Sequence, residues 1–484
     1  MFHRRKKEHS TLPLSNNTET PTTMPPTNYT STFLRNRTPP FKSFLFVLSL
    51  LLNIYLLLVL WAPSSSTLPP TTLISRLSPT TRRHVIFAIA SSSLSWPRRL
   101  PYLRLWYSPN TTRAFAFLDA LPLNSSSGSS SPPVVISGDT AGFPYTFRGG
   151  LRSAIRVARV VKEVVDRNES HVRWFVFGDD DTVFFVDNVV RMLAKYDHER
   201  WFYVGSNSES YDQNVKYSFE MAFGGGGFAI SYSLARVLAR VLDSCLRRYG
   251  HLYGSDSRIY SCLAELGVGL THEPGFHQLD MRGNLFGMLA AHPLSPLLSL
   301  HHLDAVEPLF PNMDRVQALE HLIAAANIDP ARILQQTVCY DRSNSLTFSV
   351  SWGFAIQVYQ GNELLPDLLS LQRTFVPWRR GSKVDPNFMF NTRDYPRDPC
   401  KRPSVFFLKS VTSDKGGIWS NYSRHVGNCF ESNATQIKLI IVFSRKLEMK
   451  ALRRQCCDVL PSSNDTISLH IRQCEIDELI SMQS

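Results

Sequence analysis

Several familiar motifs are missing from this 484-residue sequence, and each absence argues against a class of protein. No two cysteines stand in C-x-x-C spacing, which argues against a structural zinc site. No glycine run is followed by the Lys-Ser/Thr of a phosphate loop or has G-x-G-x-x-G spacing. Lysine and arginine give a formal net charge of +12 but form no stripe with interleaved aromatics, so we expect no nucleic-acid partner. The positive charge suits an anionic small molecule or an acidic membrane surface.

Charge is also absent from residues 44–62, which read FLFVLSLLLNIYLLLVLWA. As a helix this segment would span about 28 Å, enough to cross the hydrocarbon core of a bilayer. A cleaved signal peptide is the alternative, although such a peptide has a shorter apolar region closer to the start of the chain. Basic residues precede the segment, whereas residues 63–74 carry no charge. The positive-inside rule therefore predicts a single-pass type II protein whose downstream part is lumenal.

All eight cysteines lie downstream of that segment. An even number of cysteines in an oxidising compartment predicts disulfides, although the sequence does not give their pairing. Acceptor triplets for N-glycosylation also follow, at Asn110, Asn124, Asn168, Asn421, Asn433 and Asn464. Composition divides the chain into a disordered cytoplasmic tail (1–43), the anchor (44–62), a Ser/Thr/Pro-rich stem (63–80) and two predicted domains (81–335 and 336–484).

The first predicted domain alternates strands and helices. Apolar runs at 85–90, 114–120 and 134–137 predict short buried strands, and a helical period over 151–165 predicts a helix. Residues 174–185, WFVFGDDDTVFF, predict a strand that ends in acid, and Asp187 is predicted to cap the next helix. This alternation predicts an α/β sheet with helices on its faces. After residue 335, runs at 346–359, 404–411 and 437–444 predict a β-rich, cysteine-containing domain.

The acidic triplet Asp179, Asp180 and Asp181 is the strongest chemical signal. Three carboxylates at the end of one strand repel one another unless a cation neutralises them. Carboxylate oxygens suit hard ions such as Mg²⁺ or Mn²⁺, which can bridge to a diphosphate. A solvated acidic turn is the plain alternative. Asp179 and Asp181 also fit the D-x-D-x-[TV] motif of phosphatases that use an aspartate nucleophile, but those enzymes need a downstream lysine and acidic pair that we do not find.

Three later motifs add candidate residues. The run Gly224 to Gly227 lets backbone approach a ligand closely, and Gly225, Gly226 and Gly227 are predicted to form the floor of an acceptor pocket. Asp256, in YGSDSR, is a plain helix cap or a general base. His277, in PGFHQLD, is the predicted imidazole ligand of a metal, and His301 and His302 are further candidates.

Together these segments resemble the plant fringe-related glycosyltransferase-like family, a domain-of-unknown-function group related to the β-1,3-glycosyltransferases. The likeness runs over about residues 83 to 410, through WFVFGDDDTVFF, GGGGFAIS, YGSDSR, EPGFHQLD, LSLHHLD and VEPLFPNM in consistent order. It implies a GT-A fold, type II Golgi topology, a UDP-sugar donor, Mn²⁺ and inversion at the anomeric carbon. One departure stands out, because relatives read G-S-D-D-R where this chain has Ser257 in place of the second aspartate.

The resemblance assigns roles residue by residue. It implies a metal site of Asp179, Asp181 and His277, with Asp256 as the catalytic base that deprotonates the acceptor. The predicted donor-binding residues are Asp179, Asp180, Asp139 and Arg99. The leading hypothesis is therefore a metal-dependent inverting glycosyltransferase that moves a hexose from a UDP-sugar to a glycan or glycosylated acceptor. The alternatives are a non-catalytic glycan-binding or scaffold protein of the same fold, and the phosphatase that uses Asp179 and Asp181.

Overall fold

The computed structural model describes residues 41–61, 78–122, 130–379, 387–426, 437–448, 453–463 and 465–480. Residues up to Leu77 belong to one unit, and Ser78–Ser484 form a second, compact unit. The first unit contains helix α1, Phe41–Trp61, at the position of the predicted anchor. In the described part of the chain, no helix is both long enough and apolar enough to cross a membrane. Most of the predicted tail and stem, residues 1–40 and 63–77, lie outside the described residues.

Short strands and helices alternate through the first part of the compact unit, as the apolar runs predicted. The helices are α2 Trp96–Trp106, α3 Ser153–Asp166, α4 Val186–Leu193, α5 Tyr211–Lys216, α6 Tyr232–Arg248, α7 Gly254–Glu265, α8 Phe286–Ala290 and α9 Arg315–Ile328. The strands are β1 Val85–Ala90, β2 Arg113–Leu118, β3 Val134–Ile136, β4 Trp174–Asp179, β5 Val183–Phe184, β6 Tyr203–Gly205, β7 Phe228–Ser231, β8 Leu270–His272, β9 Phe276–His277, β10 Met281–Gly283 and β11 Ser299–Leu300.

Seven of these strands form one mixed sheet in the order β3-β2-β1-β4-β7-β6-β8. Strands β1 to β4 are parallel, whereas β7 runs antiparallel to both β4 and β6. The strands β1 and β4 are buried almost throughout because helices cover both faces of the sheet, which explains their continuous apolar sequences. The chain steps from β1 through β2 to β3 on one side and then places β4 on the other side of β1. This is a topological switch point, where the carboxyl ends of diverging strands leave a crevice.

The second part of the compact unit is rich in β-structure, as predicted. Its strands are β12 Gln336–Asp341, β13 Leu346–Ser351, β14 Ala355–Gln360, β15 Leu371–Gln372, β16 Phe375–Pro377, β17 Thr392–Arg393, β18 Ser404–Ser413, β19 Ile418–His425, β20 Leu439–Ser444, β21 Cys456–Ser463 and β22 Thr466–Arg472. One helix, α10, spans Leu365–Leu369, and 3-10 turns occur at Arg82–His84, Leu303–Ala305 and Pro399–Lys401. Eight strands form a sheet in the order β12-β13-β14-β18-β19-β20-β22-β21.

The two edge strands of this eight-stranded sheet are joined to each other. Cys339 on β12 and Cys457 on β21 form a disulfide, with their Cα atoms 5.0 Å apart. Next to it, a guanidinium nitrogen of Arg454 donates to the carbonyl of Gln336 at 3.1 Å. Further disulfides join Cys245 to Cys262 and Cys456 to Cys474, and Cys400 is also disulfide-bonded. The prediction of disulfides is therefore confirmed, and three of the pairings are defined.

The mixed α/β class is confirmed, and one hydrophobic cluster runs from Val85 in β1 to Ile471 in β22. The predicted boundary between residues 335 and 336 falls inside this shared core. One local prediction is wrong: Asp187 does not cap α4, because Phe185 occupies the N-cap position and Asp187 lies in the first turn. There the carboxylate of Asp187 accepts hydrogen bonds from Arg82 at 2.9 and 2.7 Å.

Candidate metal and catalytic site

The acidic triplet lies at the carboxyl end of β4, beside the end of β1 and therefore at the switch point of the large sheet. The strand ends in a tight turn, because the Thr182 hydroxyl accepts from the Asp179 amide at 2.9 Å and the Thr182 amide donates to the Asp179 carbonyl at 3.1 Å. The chain then continues directly into β5. This turn directs the three carboxylates to different neighbours.

Asp180 is directed toward β1. Its Oδ2 accepts hydrogen bonds from the hydroxyls of Ser91 at 2.7 Å and Ser95 at 2.6 Å. Burial raises the pKa of Asp180, and these two hydroxyl donors oppose the rise. Because its Oδ2 is already held by two hydroxyls, Asp180 fixes the β1 and β4 ends relative to each other, and its predicted contact with a donor stays a prediction.

Asp181 and Asp179 share a cationic neighbour, His301. The Nε2 atom of His301 lies 3.1 Å from Oδ1 of Asp181 and 3.7 Å from Oδ2 of Asp179. The ligand-type atoms of these three side chains all lie within 4.8 Å of one another, as a shared metal ion requires. Arg99, from α2, completes the cluster, with its Nη1 2.9 Å from Oδ2 of Asp181. The predicted donor-binding Arg99 thus lies beside the triplet.

The small sheet β5-β11-β9 brings His301 to the triplet. Strand β11 runs antiparallel to β5, with Leu300 opposite Val183, so the next residue along, His301, comes level with the turn that carries Asp181. The sequence motif LSLHHLD makes His301 a candidate metal ligand. Only the pairing of β11 with β5 places it beside the triplet.

His277 is not part of this cluster, contrary to the prediction. Strand β9 places it beside Leu300 rather than beside His301. Its Nδ1 lies 3.0 Å from Oε1 of Glu209, and its Nε2 lies 2.9 Å from Nε2 of His292. All three side chains are buried. Both ring nitrogens of His277 therefore have protein partners, and the imidazole that accompanies Asp179 and Asp181 comes from His301.

The electrostatics of the cluster separate the roles of the carboxylates. Burial alone would raise the pKa of Asp181, but the charge and hydrogen bond of His301 and the charge of Arg99 bring it well below its usual value. Burial raises the pKa of Asp179 to about 7, and the neighbouring carboxylates add to the rise. Even so, 43% of the Asp179 side-chain surface is exposed. Burial would lower the pKa of His301, but Asp181 and Asp179 raise it to about 9.

The glycine run is buried and packs against the site. A Cβ at Gly225 would overlap the His301 ring, and one at Gly224 would lie 2.5 Å from Oδ1 of Asp256. Gly227 has φ +93°, and its Cβ would lie 2.8 Å from the Phe184 ring. The Gly226 amide donates to Oε1 of Gln278 at 2.6 Å. The glycines thus permit the close approach of the site's side chains, and their predicted contact with an acceptor is not tested by this packing.

Asp256 lies in the first turn of α7 and faces the triplet across a small cavity. Asp179, Gly224 and Asp256 line this cavity together with apolar side chains of α3 and the sheet, among them Val161 and Phe177. Burial raises the pKa of Asp256 to about 6, while hydrogen bonds from Ser255 and from the Gly224 backbone oppose the rise. The carboxylate that faces Asp179 is therefore that of Asp256, whereas the backbone carbonyl of Ser257 accepts the Ser261 hydroxyl at 2.8 Å.

Asp139 lies away from the cluster. It follows β3, the edge strand of the sheet, and its Oδ1 accepts from the Ala141 amide at 2.8 Å. Asp139 lies at the same carboxyl edge of the sheet as the triplet. However, β3 is three strand spacings from β4, which is about 14 Å at about 4.8 Å per strand. The side chain is exposed, and a role in donor binding stays a prediction.

His302, a further candidate from the sequence, and three residues that the sequence did not single out complete the surroundings. The ring of His302 stacks on Trp378 with a centroid distance of 4.2 Å. It also contacts the His301 ring at a centroid distance of 4.0 Å, with the two planes tilted by 33°. The carboxylate of Asp304 accepts hydrogen bonds from Nη1 of Arg99 at 2.6 Å and from the hydroxyl of Tyr102. Trp378 follows β16, far along the chain, and no local pattern indicates its approach to the site.

Fold and site together define a mixed α/β protein with a carboxylate and imidazole cluster suited to a divalent cation at a topological switch point. The family model described as "Protein of unknown function, DUF604" matches residues 213–457, and the chain belongs to this family. With the relatives below, this confirms the predicted membership of a domain-of-unknown-function group related to β-1,3-glycosyltransferases. The plant origin attached to that prediction is not shown.

Two curated relatives are each called "Beta-1,3-glucosyltransferase", one from Homo sapiens and one from Mus musculus. Each is 28% identical over 138 residues, which are 28% of this chain and 26% of the relative. The chain thus spans about a quarter of the length of these relatives. Among solved structures, the mannosyltransferase PcManGT from Pyrobaculum calidifontis, in complex with GDP-Man and Mn²⁺, is 15% identical with a TM-score of 0.25, over 40% of this chain and 55% of that one.

Proposed function

We propose that this protein is a metal-dependent inverting glycosyltransferase of the β-1,3 type, with a GT-A-type nucleotide-sugar-binding sheet. It would transfer a hexose from a UDP-sugar to a glycan or glycosylated acceptor. The observation that carries the proposal is the meeting of Asp179, Asp181 and His301 at the switch point, with Asp256 facing them across a cavity. The similarity to β-1,3-glucosyltransferases supports the same reaction class.

The residues present fit a divalent cation. Asp179, Asp181 and His301 offer two carboxylates and one imidazole within a single sphere, and this set suits Mn²⁺ or Mg²⁺. His301 and Arg99 both contact the Asp181 carboxylate, so the cluster already gathers cationic and anionic groups. A bound cation would supply Lewis-acid stabilisation of the negative charge on the leaving diphosphate. Arg99 lies close enough to the cluster to contribute a second positive charge toward the same phosphates.

Asp256 is the proposed general base. Its carboxylate would take the proton from an acceptor hydroxyl, whose oxygen then forms the new bond to the anomeric carbon while the bond to UDP breaks. Inversion follows if the hydroxyl attacks from the face opposite the leaving diphosphate. A pKa of about 6 keeps Asp256 mostly ionised near neutral pH and still basic enough to accept a proton.

The decisive experiment measures UDP release from a panel of UDP-sugars by the full chain in the presence of Mn²⁺, with and without glycan acceptors. We expect turnover with at least one donor, and a decrease of at least about 10²-fold in transfer for Asp256→Asn with Mn²⁺ binding retained. Glycan binding without turnover of any donor would support the non-catalytic alternative. Release of phosphate from a generic ester, abolished by Asp179→Asn, would support the phosphatase.

We further propose that this unit functions in the Golgi lumen, held by residues 44–62 as a single-pass type II anchor. The disulfides support an oxidising compartment, and the acceptor residues Asn110 and Asn168 are exposed. Protease protection in sealed Golgi vesicles tests the lumenal orientation. A mobility shift on glycosidase treatment tests the glycosylation. Digestion of the compact unit from the cytoplasmic side would contradict the proposal.

A further inference from the structure

Two exposed aromatic rings and a half-buried one lie near Asp256 and are not used by the proposed metal site. Tyr253 is 43% exposed and Phe147 is 36% exposed, and their ring centroids are 5.2 Å apart. Tyr217 stacks on Tyr253 with a centroid distance of 5.7 Å and an interplanar angle of 21°. We call Phe147, Tyr217 and Tyr253 the aromatic platform. Exposed apolar patches with polar rims mark ligand-binding grooves or interaction sites.

Hydrogen bonds to backbone carbonyls hold the loops of the platform in place. The Thr146 amide, next to Phe147, donates to the Gly250 carbonyl at 2.9 Å. The buried guanidinium of Arg258 donates to the carbonyls of Gly254 at 2.5 Å and Gly250 at 3.3 Å. These bonds fix the two loops that carry Phe147 and Tyr253, whose residues remain partly exposed. The exposed aromatic surface is therefore arranged before any ligand arrives.

The platform lies next to the proposed base. Tyr253 is the N-cap residue of α7, and Asp256 follows three positions later in the first turn of the same helix. On its other side the platform reaches the glycine run, because the ring centroids of Tyr217 and Phe223 lie 6.2 Å apart. Gly224 follows Phe223 and packs against the Asp256 carboxylate. A sugar ring on Tyr253 would therefore bring a hydroxyl within reach of Asp256.

The chemistry of the platform selects among ligands. Nζ of Lys216 lies 4.7 Å from the Tyr217 ring centroid and 5.5 Å from that of Tyr253, and this positive charge opposes the binding of a cationic ligand. A pyranose ring has an apolar C–H face for an aromatic ring and a hydroxyl edge for the tyrosine hydroxyls. We propose that the aromatic platform binds a pyranose ring of the acceptor, so that the acceptor is a saccharide rather than a peptide or lipid hydroxyl. This rests on the proposed glycosyltransferase activity.

A glycan array probed with the full chain tests the platform directly. We expect binding to a subset of hexose-containing oligosaccharides, and a roughly tenfold loss of affinity for Tyr253→Ala or Phe147→Ala, with binding regained in Tyr253→Phe. Trp201, which is 45% exposed and lies outside the platform, provides the matched control Trp201→Ala, for which we expect no change. Unchanged glycan binding by both platform variants, or no glycan binding by the native chain, would overturn the proposal.

Kinetics separate this proposal from the one on which it rests. With a saccharide acceptor, Tyr253→Ala should raise the acceptor KM about tenfold with a smaller effect on kcat. Transfer with native acceptor KM in Tyr253→Ala would overturn the platform and leave the transferase intact. Loss of glycan binding in Tyr253→Ala, with no turnover of any UDP-sugar by the native chain, would leave the platform as a glycan-binding surface and overturn the transferase.

Discussion

At the scale of single residues, two histidines of similar burial have different tasks. His301 faces Asp181 and Asp179, whereas His277 lies between Glu209 and His292. The hydrogen bonds of the second group are directional. His292 donates through Nδ1 to the Pro293 carbonyl at 2.8 Å, so its Nε2 must accept from Nε2 of His277. The Nδ1 atom of His277 is hydrogen-bonded to Oε1 of Glu209 at 3.0 Å, so both polar groups have their partners inside the protein.

Substitutions should separate these two tasks. His301→Ala should weaken Mn²⁺ binding by one to two orders of magnitude, roughly 10- to 100-fold, because it removes a ligand-type nitrogen. His277→Ala should keep the metal-binding residues but lose about 3–5 kcal/mol of folding stability, because Glu209 is left buried without its partner. Isothermal titration with Mn²⁺ and thermal unfolding measure the two effects. The exposed His272 serves as control in His272→Ala, and loss of Mn²⁺ binding by a folded His277→Ala protein would contradict the assignment.

Metal binding should also depend on pH. The proton of His301 must leave before Nε2 can bind a metal ion, and its pKa is raised to about 9 by Asp181 and Asp179, against the effect of burial. Between about pH 7 and about pH 9, the Mn²⁺ association constant should therefore rise about tenfold per pH unit. Below about pH 7 the dependence should steepen, because burial and the neighbouring carboxylates also raise the pKa of Asp179 to about 7.

Titration calorimetry in buffers of different ionisation enthalpy counts the protons released. The folding stability of the metal-free protein should depend on pH in the opposite direction. Because the pKa of His301 is raised, its stabilising contribution is complete below pH 6.5, the usual imidazole pKa, and is lost as the pH rises through about 9. A Mn²⁺ affinity that stays constant over this range would show that His301 is not a ligand.

At the scale of elements, the glycine run lies so close to the side chains of the site that a larger residue would not fit there. Gly225 lies so close to the His301 ring that a methyl group has no room, and its carbonyl accepts the Thr182 hydroxyl at 2.7 Å. The same segment thus supports the turn of the triplet and the imidazole of the proposed metal site. Overpacking at this point should move the imidazole and weaken the metal site together with the fold.

Gly225→Ala tests this coupling. We expect a loss of about 1–3 kcal/mol in folding stability and a smaller Mn²⁺-induced increase in melting temperature. Gly269→Ala is the matched control, because a Cβ there meets nothing within 4 Å, and it should leave both quantities nearly unchanged. Melting curves with and without Mn²⁺ give both readouts. Equal behaviour of the two variants would mean that the close packing around Gly225 has no role in the site.

Sequence reasoning succeeded where the signal was local. The apolar run that ends in Asp179, the helical period of α3 and the strands after residue 335 all follow from adjacent residues. It failed where strands pair across long separations: His301 is selected by the pairing of β11 with β5, and Trp378 arrives from the end of β16. His277 is equally suitable in sequence, because periodicity does not tell which strand of a small sheet lies beside the acidic triplet.

At the scale of the whole molecule, the chain closes on itself through its last strands. Helix α9 and the seven-stranded sheet share their core with the eight-stranded sheet, whose edges the Cys339–Cys457 disulfide joins. Arg332 contributes to the same closure, because its buried guanidinium contacts Asp329 at 3.1 Å and also bonds Gln455 and the Arg445 carbonyl. The C-terminal strands are therefore held to the middle of the chain by covalent and polar links together.

The Cys339–Cys457 link should contribute more to the stability of the compact unit than the Cys245–Cys262 link does. It closes 118 residues, whereas Cys245–Cys262 closes 17, and the entropy lost by the unfolded chain increases with loop length. Replacing both cysteines of the longer link by serine should cost about 5 kcal/mol, against about 3 kcal/mol for the shorter one. Chemical denaturation of the two double variants and the native chain measures the difference. If the shorter link proved the more costly to remove, stability would rest mainly on the packing of α6 against α7, which that link joins, rather than on closure of the eight-stranded sheet.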